Sequence, residues 1–390
     1  MIRRLSELEL NGKRVFVRAD FNVPVRQGKI TETYRIESAL PTLRLILAQA
    51  AKLLIASHLG RPGGKREMDW SLAPVRDVLE KSLSCPVALA PDCVGPEVEA
   101  LVRDPRCRVI LLENLRFHKE EESNDPIFSL ALASLADVYV SDAFGAAHRA
   151  HASISGMVKF FREKGAGLLL QNELDYLGRI VSNPERPLVI LLGGAKVSDK
   201  IGVIKNLMPK VDCLLIGGGM AYTFLKAKGV AVGRSLVEEG RIELARELIA
   251  RADKLGIALL LPTDHIAAET NKGTPITTET NIPRDLIGLD IGPKTRSRFI
   301  QEIRRAKMVL WNGPVGLFEE ERFSDGTRSI AQALAVGDAV SIVAGGDTVA
   351  AVTQAGVQDR ITHLSTGGGA TLEFLEGRTL PGIEALEVTT

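Results

Sequence analysis

Short apolar runs, β-branched or leucine-rich and almost unbroken by polar residues, recur along this chain between longer stretches of helical character. RVFVRA, KLLIAS, RVILLE and DVYVSD lie in the first half; PLVILL, CLLIG, IALLLP, KMVLW, AVSIVA and THLST lie in the second. A strand that is apolar throughout must be covered on both faces, as in a parallel sheet between helix layers. The pattern therefore predicts α/β architecture. At 390 residues the chain exceeds what one core normally holds, so two domains are expected.

In open parallel sheets, ligands bind beyond the carboxyl ends of the strands, so the residues after each run carry the functional information. The two halves differ there. First-half runs lead into RADFNVP, SHLGRP, ENLRFH and SDAFGAAHRAHAS, which bring Arg18, Arg61, Arg116 and Arg149 with His58, His118, His148 and His151. Second-half runs lead into glycine: GGAK, GGGM, NGPVG, GGDT and GGGA. Between the halves, Leu170, Leu174, Leu177 and Val181 recur at helical spacing and Asn183-Pro184 stops them. This predicts a connecting helix near residues 171–183.

Lys plus Arg (49) nearly balance Asp plus Glu (48), so no global field points to a nucleic-acid or membrane partner. The start lacks an apolar signal core, and no run approaches the roughly 20 residues that span a bilayer. Cys85, Cys93, Cys107 and Cys213 form no CxxC pair. Buried reduced thiols and a cytoplasmic address are the expectation.

A strand–Gly–Gly–helix junction either permits a tight turn or lets backbone N–H groups approach an anion at the positive end of a helix. None of the loops fits GxxxxGK[ST] or GxGxxG, so any nucleotide binds differently. Lys196 and Lys200 are expected in one helical first turn, i and i+4, where the dipole disfavours cations. They are either solvated or face bound phosphate. Asp347 is either a helix N-cap or a ligand for Mg²⁺, which prefers oxygen donors. Arg18, Arg35, Arg61, Arg116 and Arg149 are either surface residues or, with His58, Asp20 and Asn22, a pocket for a small, hydroxylated anion. His148 and His151 fit helix-start packing equally well.

In order, RADFNVP, SHLGRP, ENLRFHKEEESND, AHRAHAS, GGAKVSDKI, GGGMAYTFL, GLDIGPKT, WNGPVGLFE, GGDT and STGGGATLEFLEG resemble the signatures of the phosphoglycerate kinase family. Ala19, Tyr34 and Ala146 depart from its usual pattern, and none replaces a charged site residue. The resemblance implies two doubly wound, Rossmann-like parallel-sheet domains joined by a hinge helix. Their expected limits are 1–170 for glycerate binding, 171–185 for the connection and 186–370 for the nucleotide. Residues 371–390 are expected to fold back on the first domain.

The implied reaction is reversible phosphoryl transfer between 1,3-bisphosphoglycerate with MgADP and 3-phosphoglycerate with MgATP. By motif match, Asp20, Phe21, Asn22, Arg35, His58, Leu59, Gly60, Arg61, Arg116 and Arg149 hold the glycerate ligand. Gly193, Ala195, Lys200, Gly217, Gly218, Gly219, Gly288, Asn312, Glu319, Gly345, Gly346, Asp347 and Thr348 hold the nucleotide, with Asp347 on Mg²⁺. Arg35, Lys196, Lys200, Gly346, Gly368 and Gly369 are expected to stabilise the moving phosphoryl group. The resemblance also suggests a monomer that closes about its hinge. A two-lobed receptor explains a hinge and an anion pocket but not a second, glycine-lined site. A nicotinamide-dependent dehydrogenase would want the missing GxGxxG.

Overall fold

The first sheet grows outward from β1 (Arg14–Ala19), whose Val15, Phe16 and Val17 are all fully buried. A hairpin of β2 (Val25–Arg26) and β3 (Lys29–Ile30) follows, then β4 (Lys52–Ala56), β5 (Ala88–Leu89), β6 (Val109–Leu111), β7 (Val138–Asp142) and β8 (Glu163–Ala166). Outside the hairpin these strands form one parallel sheet in the order β5-β6-β4-β1-β7-β8. Alternate residues Val15, Val17, Leu53, Ile55, Val109, Leu111, Val138 and Val140 share one core. Ile36, Leu43 and Ile46 of the helix Tyr34–Gln49 and Val75 and Leu79 of the helix Ala73–Leu83 cover it. The chain winds to one side of β1 through β4, then returns to β7 on the other, so the topological switch lies between β1 and β7.

The second large sheet contains β9 (Leu188–Leu192), β10 (Cys213–Ile216) and β11 (Ala258–Leu260). A small antiparallel sheet of β12 (His265–Ala268), β13 (Ile276–Thr278) and β14 (Ile287–Ile291) is inserted next. The large sheet then resumes with β15 (Met308–Asn312), β16 (Val340–Ala344) and β17 (His363–Leu364). Its order is β11-β10-β9-β15-β16-β17, parallel throughout, and its switch lies between β9 and β15. Every residue of β9 and β15 is buried, as a two-faced parallel strand requires. Phe299 and Ile303 from the helix Pro293–Arg305, with Ile330 and Leu334 from Asp325–Val336, pack on Leu191, Val309 and Trp311.

The computed structural model describes residues 1–388, in two units. One comprises Met1–Asp175 with the described residues from Thr379 on; the other is Tyr176–Arg378. The division falls inside the helix Leu168–Ser182, so the linking element begins and ends slightly earlier than its apolar stripe suggested. The start of that helix is held from β7 and from the helix Tyr34–Gln49: Asp142 Oδ1 accepts from Leu170 N at 3.1 Å, while Thr42 Oγ1 accepts from Leu168 N at 2.9 Å. In the C-terminal segment of the first unit, Leu380 and Leu386 are buried and Gly382 N donates to Ala147 O at 2.8 Å. Lys164 Nζ donates to Ala385 O at 2.8 Å. No helix among the described residues is long and apolar enough to cross a membrane.

Cys85, Cys93, Cys107 and Cys213 are free thiols. Only Cys93 and Cys213 are buried, however; Cys85 and Cys107 lie in connecting segments where cover is partial.

Candidate active site

In the first unit, Asp20, His58, Arg116 and Arg149 follow β1, β4, β6 and β7 respectively, at one end of the sheet. Arg35 stands in the first turn of the helix Tyr34–Gln49 and donates to Asp20 Oδ2 at 2.7 Å. That turn disfavours a cation, and the nearby carboxylate compensates. Asp20 Oδ1 accepts from Asn22 N at 3.1 Å, and Asn22 Oδ1 accepts from Gly60 N at 2.9 Å. Burial pushes the Asp20 carboxyl up, but the charges of Arg35 and Arg18 and the Asn22 N–H together hold it below its ordinary value.

Beneath these groups lies a buried cation. Arg18 is 1% exposed, with Nε on Ser153 Oγ at 2.8 Å, Nη1 on Ala19 O and Nη2 at 3.1 Å from His58 Nδ1. A guanidinium only donates, so His58 Nδ1 accepts and the proton of the neutral ring lies on Nε2. Burial, with Arg18, Arg116 and Arg35 nearby, holds the His58 pKa far below its usual range, which keeps the ring neutral. Arg116 is 4% exposed and anchors to Gly60 O at 2.7 Å through Nη1. Burial and the neighbouring Arg149 lower its pKa to about 10. Glu121, fully buried, accepts from Ser153 Oγ at 2.6 Å and lies 3.8 Å from His151 Nδ1. Phe21 and Leu59 direct their side chains into the core, and Arg61 is exposed beside Gly60.

Ser153 and Glu121 belong to this cluster but escape sequence reasoning, because they do not follow a strand end as a group; Arg18, read from the sequence as a surface residue or a member of the anion pocket, is buried beneath it. Arg18 left one signal: a charge inside a run otherwise read as a buried strand.

In the second unit the segment after β9 is a series of turns, and the helix begins only at Ile201 with Lys200 as its N-cap. Lys196 and Lys200 therefore do not share a first helical turn. The glycine pair forms the connection to β15 instead, Gly193 N donating to Asn312 O and Gly194 N to Pro314 O. Lys196 is exposed, whereas Lys200 is partly buried and donates to Asn312 Oδ1. Burial lowers the Lys200 pKa to about 8, against the opposing pull of Asp199 and Asp347. Asn312 is itself 1% exposed, and its Nδ2 has no hydrogen-bond partner.

Beside these residues is a cavity of about 290 Å³ lined by Gly194, Ala195, Gly218, Gly219, Tyr222, Leu236, Ile287, Gly288, Leu289, Pro314, Val315, Gly316, Leu317, Glu319 and Asp347. Its wall is chiefly backbone and aliphatic carbon, suited to a flat apolar group with a polar edge. Several of these glycines leave no room for a side chain. A Cβ at Gly218, where φ is +63°, would lie 2.7 Å from Gly194 N, and one at Gly288 would lie 2.2 Å from Tyr222 Oη. Gly217 is buried beside them.

The helix Gly346–Gln354 takes Gly345 as its N-cap, so Asp347 lies within the first turn and does not cap. Its carboxylate is exposed at the edge of the cavity. Thr348 is buried and accepts from Gly313 N at 2.7 Å. Gly368 and Gly369 begin the helix Gly369–Leu375 after β17, and Glu319 is exposed at the cavity rim.

One doubly wound unit concentrates guanidinium groups around a charged aspartate, and the other sets an amine and a carboxylate beside a glycine-walled cavity. Together they define a two-unit α/β phosphotransferase. The family model of phosphoglycerate kinase matches residues 5–378, and the chain belongs to that family. It is 55% identical over 393 residues to the phosphoglycerate kinase of Anaeromyxobacter dehalogenans strain 2CP-C, with 99% of each chain covered. It is 54% identical over 389 residues to that of Solibacter usitatus, with 98% of each covered. Among solved structures, phosphoglycerate kinase from Coxiella burnetii matches with a TM-score of 0.89 at 41% identity, covering 99% of each chain. The Pyrococcus horikoshii enzyme matches at 0.86 and 31% identity, covering 99% of this chain and 98% of the other.

Proposed function

We propose that the chain transfers a phosphoryl group reversibly between 1,3-bisphosphoglycerate with ADP and 3-phosphoglycerate with ATP. The observation that carries this reading is the buried positive field of the first unit. Arg18 and Arg116 are almost wholly buried, and Arg149 stands close enough to Arg116 to lower its pKa. Like charges held together out of water are stabilised by a multivalent anion.

In this reading Arg35, Arg61, Arg116 and Arg149 take the ligand's phosphate and carboxylate. Asp20, kept ionised, and Asn22 accept from its hydroxyl, while His58 donates from Nε2. Gly60 contributes through the turn that Arg116 anchors, and Phe21 and Leu59 support the loop from the core. The base and sugar of the nucleotide occupy the cavity against Gly193, Ala195, Gly217, Gly218, Gly219 and Gly288, with Glu319 at the ribose. Lys200, Asn312 and the loop Gly345 to Thr348 face its phosphates.

The acceptor carboxylate has a reference pKa near 4, so it is ionised at neutral pH and no general base is needed. What remains is to offset charge on the equatorial oxygens in the transition state. Arg35, Lys196, Lys200 and the backbone N–H groups of Gly346, Gly368 and Gly369 are assigned that task. Asp347 fits Mg²⁺ arriving with the nucleotide: it is an exposed oxygen donor at the cavity edge. The ion would neutralise phosphate charge there. A cytoplasmic location, a monomeric state and the absence of a nucleic-acid or membrane partner complete the proposal.

The test is ADP release from ATP and Mg²⁺ with and without 3-phosphoglycerate. Release that depends on the glycerate is expected. Arg35→Ala and Lys200→Ala should lower kcat far more than they raise either KM, and near-normal turnover in either variant would remove its assigned role.

A further inference from the structure

We propose that Asp92, Cys93 and His118 form a binding site for a borderline-soft divalent metal ion of the zinc class, distinct from the magnesium that travels with a nucleotide. Asp92 and Cys93 lie in the turn after β5, and His118 directly follows the short helix Leu115–Phe117 after β6. The carboxylate, thiol and imidazole ligand atoms all lie within 4.8 Å of one another. Tetrahedral zinc, with bonds of roughly 2.0–2.3 Å, sets its ligand atoms roughly 3.3–3.8 Å apart, so the widest separations would close and the Asp92–His118 pair, at 2.6 Å, would open to admit the ion.

The surroundings already hold the three ligand groups toward one another. His118 Nε2 lies 2.6 Å from Asp92 Oδ1, and the His118 ring stacks on Phe128 with centroids 4.8 Å apart, which fixes its direction. Asp92 Oδ1 also accepts from Cys93 N at 2.7 Å, holding the carboxylate over the thiol. Cys93 Sγ donates to Glu113 O at 2.9 Å. Arg66 approaches the other carboxylate oxygen, Asp92 Oδ2, only to 3.9 Å, which leaves Oδ1 directed at the cluster.

Cys93 is fully buried, while the side chains of Asp92 and His118 are 39% and 24% exposed, so an ion has a route in and a sulfur behind it. Binding would displace the thiol proton to solvent and form the metal–sulfur bond. The imidazole proton would move to Nδ1 without net release, and water would complete the coordination. A thiolate, an imidazole and one carboxylate favour zinc or cobalt over magnesium, whose preferred donors are all oxygen. Asp92, Cys93 and His118 are not among the proposed ligand contacts, although His118 follows Arg116 by two residues.

Titration of the full reduced chain with Co²⁺, without nucleotide, tests this directly. One equivalent should produce a thiolate-to-cobalt band in the near ultraviolet, bleached when Zn²⁺ is added. Cys93→Ser should abolish the band although Cys85, Cys107 and Cys213 remain. His118→Gln and Asp92→Asn should weaken Co²⁺ binding tenfold or more, while Asp347→Asn leaves it unchanged. Asp92 is half exposed, so its variant serves if Cys93→Ser does not fold. A saturated parent without the band, or a band that survives Cys93→Ser or is unaffected by Asp92→Asn, overturns the proposal.

Discussion

Lys200 illustrates what a single residue contributes and what its neighbours decide. Its amine is lowered to about 8 by burial, so in the free protein its charge is lost as pH rises through that value. If the cation is needed for nucleotide phosphates, kcat/KM for the nucleotide should hold steady at neutral pH and fall above about pH 8, approaching tenfold per unit. Lys200→Arg, whose guanidinium stays charged, should have a lower plateau but no such fall. An alkaline limb that persists unchanged in the arginine variant would assign the titration elsewhere. That this lysine stands near the start of a helix was legible in the sequence; that it caps the helix rather than entering it was not. Local spacing fixes which residues could be neighbours, whereas the turns between Gly194 and Lys200 depend on a strand over a hundred residues away. Arg18 is the converse case, a charge whose partners Ser153 and His58 come from other parts of the chain.

Elements of this molecule end in glycine where backbone must pass close to backbone. At Gly218 the φ of +63° and the approach of Gly194 N and Pro314 O leave no space for a methyl group. Gly218→Ala should therefore shift the loop after β10 into the cavity, destabilise the second unit by about 1–3 kcal/mol and weaken ATP binding by more than tenfold. Calorimetric titration with ATP and a thermal melt measure the two effects, and parent-like binding would show that the loop tolerates a side chain. The strands themselves were readable because a two-faced strand must be apolar at every position, as β9 and β15 are. The short antiparallel insertion β12–β14 was not read, since Ile276 and Thr277 are exposed and give no continuous apolar run. It supplies Ile287, Gly288 and Leu289 to the cavity wall, and of these Gly288 alone was named beforehand, by resemblance and not as part of a sheet.

The whole chain folds as two units, and the first takes its last elements from the far end of the sequence. Leu380 and Leu386 are at most 1% exposed, and burial of one leucine contributes about 1.5–3 kcal/mol. Ending the chain after Arg378 should thus lower the stability of the first unit selectively. Hydrogen exchange followed peptide by peptide should show amides of β1 and β7 losing protection while those of β9 and β15 keep theirs. Equal loss in both would refute the assignment of this segment to one unit. By itself the sequence determined the α/β class, most strands of the two large parallel sheets and the concentration of arginine after the first-half strands and glycine after the second. These follow from solvation and backbone sterics, which act over a few residues. Only the tertiary structure decided that Arg35 meets Asp20, that Lys200 meets Asn312 and that Asp92 and Cys93 meet His118. Strand order joins positions distant in sequence, and side-chain charge and donor geometry depend on that joining.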